Sequence, residues 1–134
     1  MTGTVLLALE SDRTERAVER ALDLAEREDA TVHALFVVDT ARYGEPALSS
    51  AEVVVDGVED EGHDRLRAVA ERGRDRGVEV STRCCHGRPN EQLVAHAIDL
   101  EPETVVLSGR RPRRVVRELE RLAEVYAPGQ RVTE

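Results

Sequence analysis

The chemistry available to this chain is concentrated after the apolar run Thr104-Val105-Val106-Leu107. There it continues Ser108-Gly109-Arg110-Arg111-Pro112-Arg113-Arg114, and Arg117 extends the basic cluster. Guanidinium groups hold phosphates and carboxylates through paired N–H bonds. A strand that ends in Ser-Gly-Arg-Arg just before a helix start therefore reads as an anion grip. Positive charge at a helix start also opposes the helix dipole, which calls for a bound anion or for nearby acids. Glu118, Glu120 and Glu124 stand close enough in sequence to be those acids. The competing reading is thus a set of solvated ion pairs, each contributing about 0–1 kcal/mol.

A second group, Cys84-Cys85-His86, invites a metal or redox reading. Consecutive strand residues face opposite sides, so the two sulfurs would not converge on one ion. A closed zinc site needs four ligands, and the chain has no Cys-x-x-Cys. Buried structural cysteines are the expectation. His33, His63 and His96 have no spacing that suggests joint catalysis, and no Ser/His/Asp arrangement stands out. Ser11 reads as a helix cap rather than a nucleophile. With no nucleophile, general base or metal set visible, binding or regulation outranks catalysis.

These residues must be positioned by alternating strands and helices. Thr4 to Leu9 is a continuous apolar run, as in a parallel strand buried on both faces. Ser11 or Asp12, with Glu15, forms a capping signal for a helix whose apolar stripe is Ala17, Val18, Ala21, Leu22, Leu24 and Ala25. Thr31 to Val38 is a second strand, closing on Asp39. A loop containing Gly44 and Pro46 leads to a long helix from about 50 to 76, with Val54, Val58, Leu66 and Val69 as its buried stripe. Gly57 and Gly62 weaken its middle, and Gly77 is a natural C-cap. Val78 to Cys85 is a more polar third strand, suited to a sheet edge. Gly87-Arg88-Pro89 turns into a helix with Leu93, Val94, Ala97 and Ile98 inward, and Thr104 to Leu107 is the fourth strand. Pro112 starts a last helix striped by Val115, Val116, Leu119, Leu122, Ala123 and Tyr126, and Gln130-Arg131-Val132 is the stub of a fifth strand. This alternation predicts one α/β domain spanning residues 1–134, an open parallel sheet of four to five strands with helices on both faces.

Composition narrows the partners. Twenty-seven acids face nineteen basic residues, all Arg, for a net charge of −8. Such acidity disfavours nucleic acid. Lys-free, acid-rich, aromatic-poor composition resembles proteins of salt-loving archaea, although a GC-rich genome explains the missing Lys equally well. Adjacent cysteines fit a reducing compartment. No segment approaches the ~18 apolar residues of a membrane span. A cytoplasmic protein without membrane contact is expected.

The order of elements resembles the universal stress protein family across nearly the whole chain. Leu7-Ala8-Leu9-Glu10-Ser11 is similar to the family's first strand, usually ending in Asp-Gly or Asp-Ser, and His33 to Asp39 is similar to its second. Gly87-Arg88-Pro89 matches its Gly-x-Pro turn, and Thr104 to Arg110 looks like the strand entering its phosphate loop. The resemblance implies a Rossmann-like fold related to the adenine-nucleotide alpha-hydrolases, a regulatory or adaptor role in stress response, a homodimer or other protein partner, and an adenine nucleotide against the first two strands. It points to Glu10, Val38, Asp39, Ser108, Gly109, Arg110 and Arg111 as the site. The chain departs from the family at Glu10, which replaces an aspartate, and in the loop, which lacks the second spaced glycine and the distal Gly-Ser. No cofactor is demanded by these residues. Two readings stand: an adaptor without conventional loop-bound ATP, or a nucleotide site, with ATP and Mg, in which Arg110 and Arg111 hold the phosphates.

Overall fold

The computed structural model describes residues 3–10, 14–39 and 49–127, the side chains of 49–56 excepted. Nine elements alternate along it: β1 (Thr4–Leu9), α1 (Glu15–Glu28), β2 (Thr31–Asp39), α2 (Ser49–Asp75), β3 (Val80–Gly87), α3 (Pro89–Leu100), β4 (Thr104–Leu107), α4 (Arg113–Glu120) and β5 (Glu124–Tyr126). All pairings are parallel, in the order β3-β2-β1-β4-β5. The chain steps outward from β1 to β3, then returns across the sheet to β4. Right-handed crossovers put helices on one face during the outward steps and on the other after the return. Accordingly Val18, Leu22, Leu66 and Val69 of α1 and α2 pack with Val5, Leu7 and Leu9 of β1. On the opposite face Leu93, Ala97, Val115 and Leu119 of α3 and α4 pack with Leu6 and Ala8. One face takes the odd residues of β1 and the other the even ones, which is why its sequence is apolar throughout.

The ends of the elements follow local chemistry. Asp29 and Glu101 take left-handed backbone at the C-caps of α1 and α3. Gly77, with φ 73°, ends α2, where Val78 N–H donates to the Gly73 carbonyl and Gly77 N–H to that of Arg74. This is the paired hydrogen-bond pattern of a glycine-terminated helix. Arg76 near this end binds Asp23 and Glu26, each at 2.6 Å, and Glu19 at 3.4 Å, while Arg72 also pairs with Glu19. The charged face of α1 is thereby tied to α2.

The last third of the chain differs from the periodic pattern. The helix expected to reach Tyr126 stops at Glu120, and Glu124–Tyr126 forms β5 beside Thr104, Val105 and Val106. Leu122 and Ala123 N–H groups both donate to the Leu119 carbonyl, closing the helix. Val125 then packs on the α3–α4 face and Tyr126 on the α1 face, where Arg20 lies over its ring at 4.7 Å. Strand pairing of a β-branched and an aromatic residue outweighs a helical spacing that would leave Leu122 no core to enter. Leu122 is indeed exposed, and so is Ile98, which the α3 pattern turned inward. The stub at 130–132, the caps Ser11 and Asp12, the loop with Gly44 and Pro46, and the Val54 side chain lie outside the described residues.

Two substitutions separate helix propensity from packing in α2. A Cβ at Gly57 would meet nothing within 4 Å, whereas one at Gly62 would stand 2.5 Å from Phe36 Cδ1. Gly57→Ala is expected to stabilise the fold by about 0.5–1 kcal/mol. Gly62→Ala should destabilise it, because overpacking of about 1–3 kcal/mol exceeds the propensity gain. Urea midpoints moving in the same direction for both would contradict this packing.

His33 supplies a pH test. Its Nε2 is buried without a hydrogen-bond partner, and its ring centroid lies 6.2 Å from that of His96. Burial, then the charges of His96 and Arg83, hold its pKa below the ordinary imidazole value of 6.5. Its neutral form is favoured by folding, so this stabilisation is full above about pH 6.5 and is lost as pH falls through the lowered native value. The urea midpoint of the native protein should fall more steeply on acidification than that of His33→Gln; parallel curves would remove the role of His33.

Candidate functional site

The reversal of strand order falls between β1 and β4, so the residues leaving their carboxyl ends face a shared crevice. Glu10 follows β1, Ser108 to Arg111 follow β4, and α3 begins beside them at Pro89. Glu10 N–H donates to Ser108 Oγ at 2.8 Å. The carboxylate of Glu10 is paired with Arg111 Nη2. Arg111 Nη1 donates to Asn90 Oδ1 at 3.4 Å, and Arg111 Nε is buried without a hydrogen-bond partner. The Arg111 side chain is only 12% exposed. It is therefore an inward residue, set apart from the basic cluster around it.

Gly109 completes this arrangement through close approach. A Cβ at that position would stand 2.7 Å from Glu10 Cγ and 3.0 Å from its Cδ. The glycine thus admits the stem of Glu10 against the loop backbone. The position expected to bring backbone amides toward a phosphate is occupied by a side chain of the same protein.

A cavity of about 160 Å³ opens in front of this pair. Leu9, Phe36, Val37, Val58 and Leu93 give it apolar walls, and Glu10, Asp39 and Arg111 give it charge. Of the residues singled out in the sequence, Glu10, Asp39 and Arg111 line the cavity, while Ser108 and Gly109 fix Glu10 from behind. Val38 does not line it. Strand alternation turns that side chain into the core shared with α1 and α2, fully buried, and Val37 faces the cavity instead. Arg110 is exposed and also outside the cavity lining, as are Arg113, Arg114 and Arg117. The expected pair of gripping arginines is therefore one inward arginine and one solvent-facing neighbour.

Asn90 was not singled out in the sequence. Its signal was position: it follows the Gly-x-Pro turn at the carboxyl end of β3, where loop residues converge on the crevice. The cysteines follow strand alternation, Cys84 packing toward α1 and α2 and Cys85 toward α3. Burial raises both thiol pKa values; Glu59 and Cys85 add to the rise at Cys84, and Arg83 opposes it at Cys85. Both thiols are held in the protonated, weakly nucleophilic form. His86 Nε2 lies 3.1 Å from Glu59 Oε2, and neither residue lines the cavity. Among the described residues no group of three or more His, Cys, Asp or Glu is placed to hold a metal ion, and no helix is long and apolar enough to cross a membrane.

Comparison with known proteins agrees with this fold. A universal stress protein of Methanocaldococcus jannaschii is 30% identical over 98 residues, covering 72% of this chain and 58% of that relative. A member of the family from Burkholderia pseudomallei has a similar structure, with a TM-score of 0.76 at 24% identity over 96% of each chain. The universal stress protein of Archaeoglobus fulgidus, solved in complex with dAMP, gives 0.65 at 19% identity over 93% of this chain and 96% of that one. The model of the universal stress protein family matches residues 1–123, and the chain belongs to that family.

Proposed function

We propose that this chain is a regulatory or adaptor domain of stress response that does not hold ATP in the manner of a glycine loop. The observation that carries this reading is the Glu10–Arg111 ion pair seated on Gly109. It gives the inward-turned Arg111 an internal anion and stands in the approach a phosphate would need. A buried or half-buried charge that loses its partner is costly, so a triphosphate must displace Glu10 before it gains Arg111.

The second reading keeps an adenine nucleotide, with ATP and Mg, and Arg110 and Arg111 as the phosphate grip. The dAMP complex of the Archaeoglobus fulgidus protein supports an adenine nucleotide as the class of ligand. The cavity lies at the ends of β1 and β2, as that reading requires. Against it stand the outward Arg110 and the internal partner of Arg111.

A homodimer is part of the proposal, since β5 is an edge strand and edge strands pair readily with a further chain. A cytoplasmic, salt-rich setting agrees with an acidic, Lys-free composition. In sedimentation the protein should run at twice the chain mass; a monomer at every concentration would remove the dimer.

Calorimetric titration with MgATP and with adenosine separates the two readings. The adaptor reading expects ATP to bind no more tightly than adenosine, with Arg110→Ala/Arg111→Ala leaving ATP affinity unchanged. An ATP preference of tenfold or more that disappears in the double variant would establish the arginine grip instead.

A further inference from the structure

The geometry points to a second site on the α1 face of the sheet: a groove between α1 and β5 that docks an extended, acidic segment of a partner protein through Arg16, Arg20 and Arg27. This builds on the adaptor reading and adds the chemistry of the partner and the surface that takes it.

The groove follows from how the helices cover the sheet. α1 packs on β1, β2 and β4, whereas α4 packs on β5 from the opposite face. Tyr126 is therefore left half-buried beside α1 at the outer edge of the sheet. Between them lies an open groove of about 590 Å³, lined by Leu24, Tyr126 and charged residues of α1. It shares no residue with the cavity beside Glu10 and Arg111.

The charges of α1 are sorted by side. Helical period places Glu19, Asp23 and Glu26 on one stripe and Arg16, Arg20 and Arg27 on the next. The acidic stripe turns to α2, where Arg72 pairs with Glu19, and Arg76 with Glu19, Asp23 and Glu26. Glu19 and Asp23 also border the groove, but these bonds engage their carboxylates on the α2 side. Glu15 is the remaining acid of the lining. Arg16, Arg20 and Arg27 are exposed, and among the described residues none of them forms an ion pair. Arg20 instead lies over the Tyr126 ring at 4.7 Å, a cation–π contact that orients its guanidinium without using up a carboxylate. Residues 11–13 and 128–134, which adjoin these elements in sequence and lie outside the described ones, each hold one acid and one arginine. Their side chains add no net charge to this balance.

The spacing selects the occupant. From Arg16 to Arg27 the helix rises about 16 Å, the length of roughly five residues of extended chain. That span exceeds a single phosphate or carboxylate and suits a row of carboxylates, each held through paired N–H bonds. A long polyanion such as nucleic acid is repelled by the net charge of −8. A short acidic segment meets mainly the local arginine stripe, because charges beyond about 8 Å are screened at physiological ionic strength.

Fluorescein-labelled decaglutamate is the probe, followed by fluorescence anisotropy with the full chain. Saturable binding that weakens when KCl is raised tenfold is expected. Replacing Arg16, Arg20 and Arg27 together by Gln should weaken it at least tenfold. Arg113→Gln/Arg114→Gln, which alters two likewise exposed arginines of α4, should change it less than twofold. Circular dichroism melts report that each variant is folded at both salt concentrations. Equal losses in the two variants would mean general charge attraction and overturn the site. Tighter binding of a labelled oligothymidylate of equal length would overturn the peptide class. No saturable binding of decaglutamate at either salt would overturn the docking groove, while the titration with MgATP and adenosine judges the adaptor reading separately.

Discussion

The position of β1 constrains everything else in this protein. It lies between β2 and β4 and is covered by α1 and α2 on one face and α3 and α4 on the other. Val5, Leu6, Leu7, Ala8 and Leu9 have at most 4% of their surface exposed, which leaves the strand no freedom of register. Its pairing with β4 sets Ala8 opposite Leu107, so Ser108 follows one residue after this pair on one chain segment and Glu10 two residues after it on the other. A hydrogen bond from Glu10 N–H to Ser108 Oγ then continues the contact beyond the ladder. The crevice chemistry is a consequence of this register: a carboxylate after β1 meets whatever the loop after β4 presents.

What that loop presents is a single glycine followed by arginines. The glycine accommodates Glu10, and the second arginine turns inward to meet it. The Glu10 carboxylate reaches the guanidinium across Gly109. The fold of the family is retained, and the inward Arg111 takes its anion from within the chain.

Much of this was legible in the sequence because burial on two faces writes a continuous apolar run. β1 and β4 were bounded correctly from composition alone, and the polar character of β3 identified a sheet edge. The end of the chain was less legible. Leu119, Leu122, Ala123 and Tyr126 have helical spacing, yet the sheet captures Glu124 to Tyr126 as a strand, a tertiary effect that local periodicity does not carry. The site was legible as a cluster but not as a geometry. Glu10, Asp39 and Arg111 were identifiable as residues following strands, whereas the inward turn of Arg111, the outward turn of Arg110 and the choice of Val37 over Val38 depend on side-chain direction. The ion pair spans 101 positions of sequence and became visible only when β1 and β4 were adjacent.

The central claim is that Glu10 and Arg111 act as one unit. A double-mutant cycle on folding stability, using Glu10→Gln, Arg111→Gln and the combination in urea, measures that directly. Residues in contact and sharing one hydrogen-bonded charge pair show coupling of about 0.5–3 kcal/mol. Glu10 is partly exposed, at 34%, so solvent screening places the expectation toward the lower end, about 1 kcal/mol. Single changes that simply add, within about 0.3 kcal/mol, would mean that the two side chains do not hold each other and that the crevice is open to a phosphate after all.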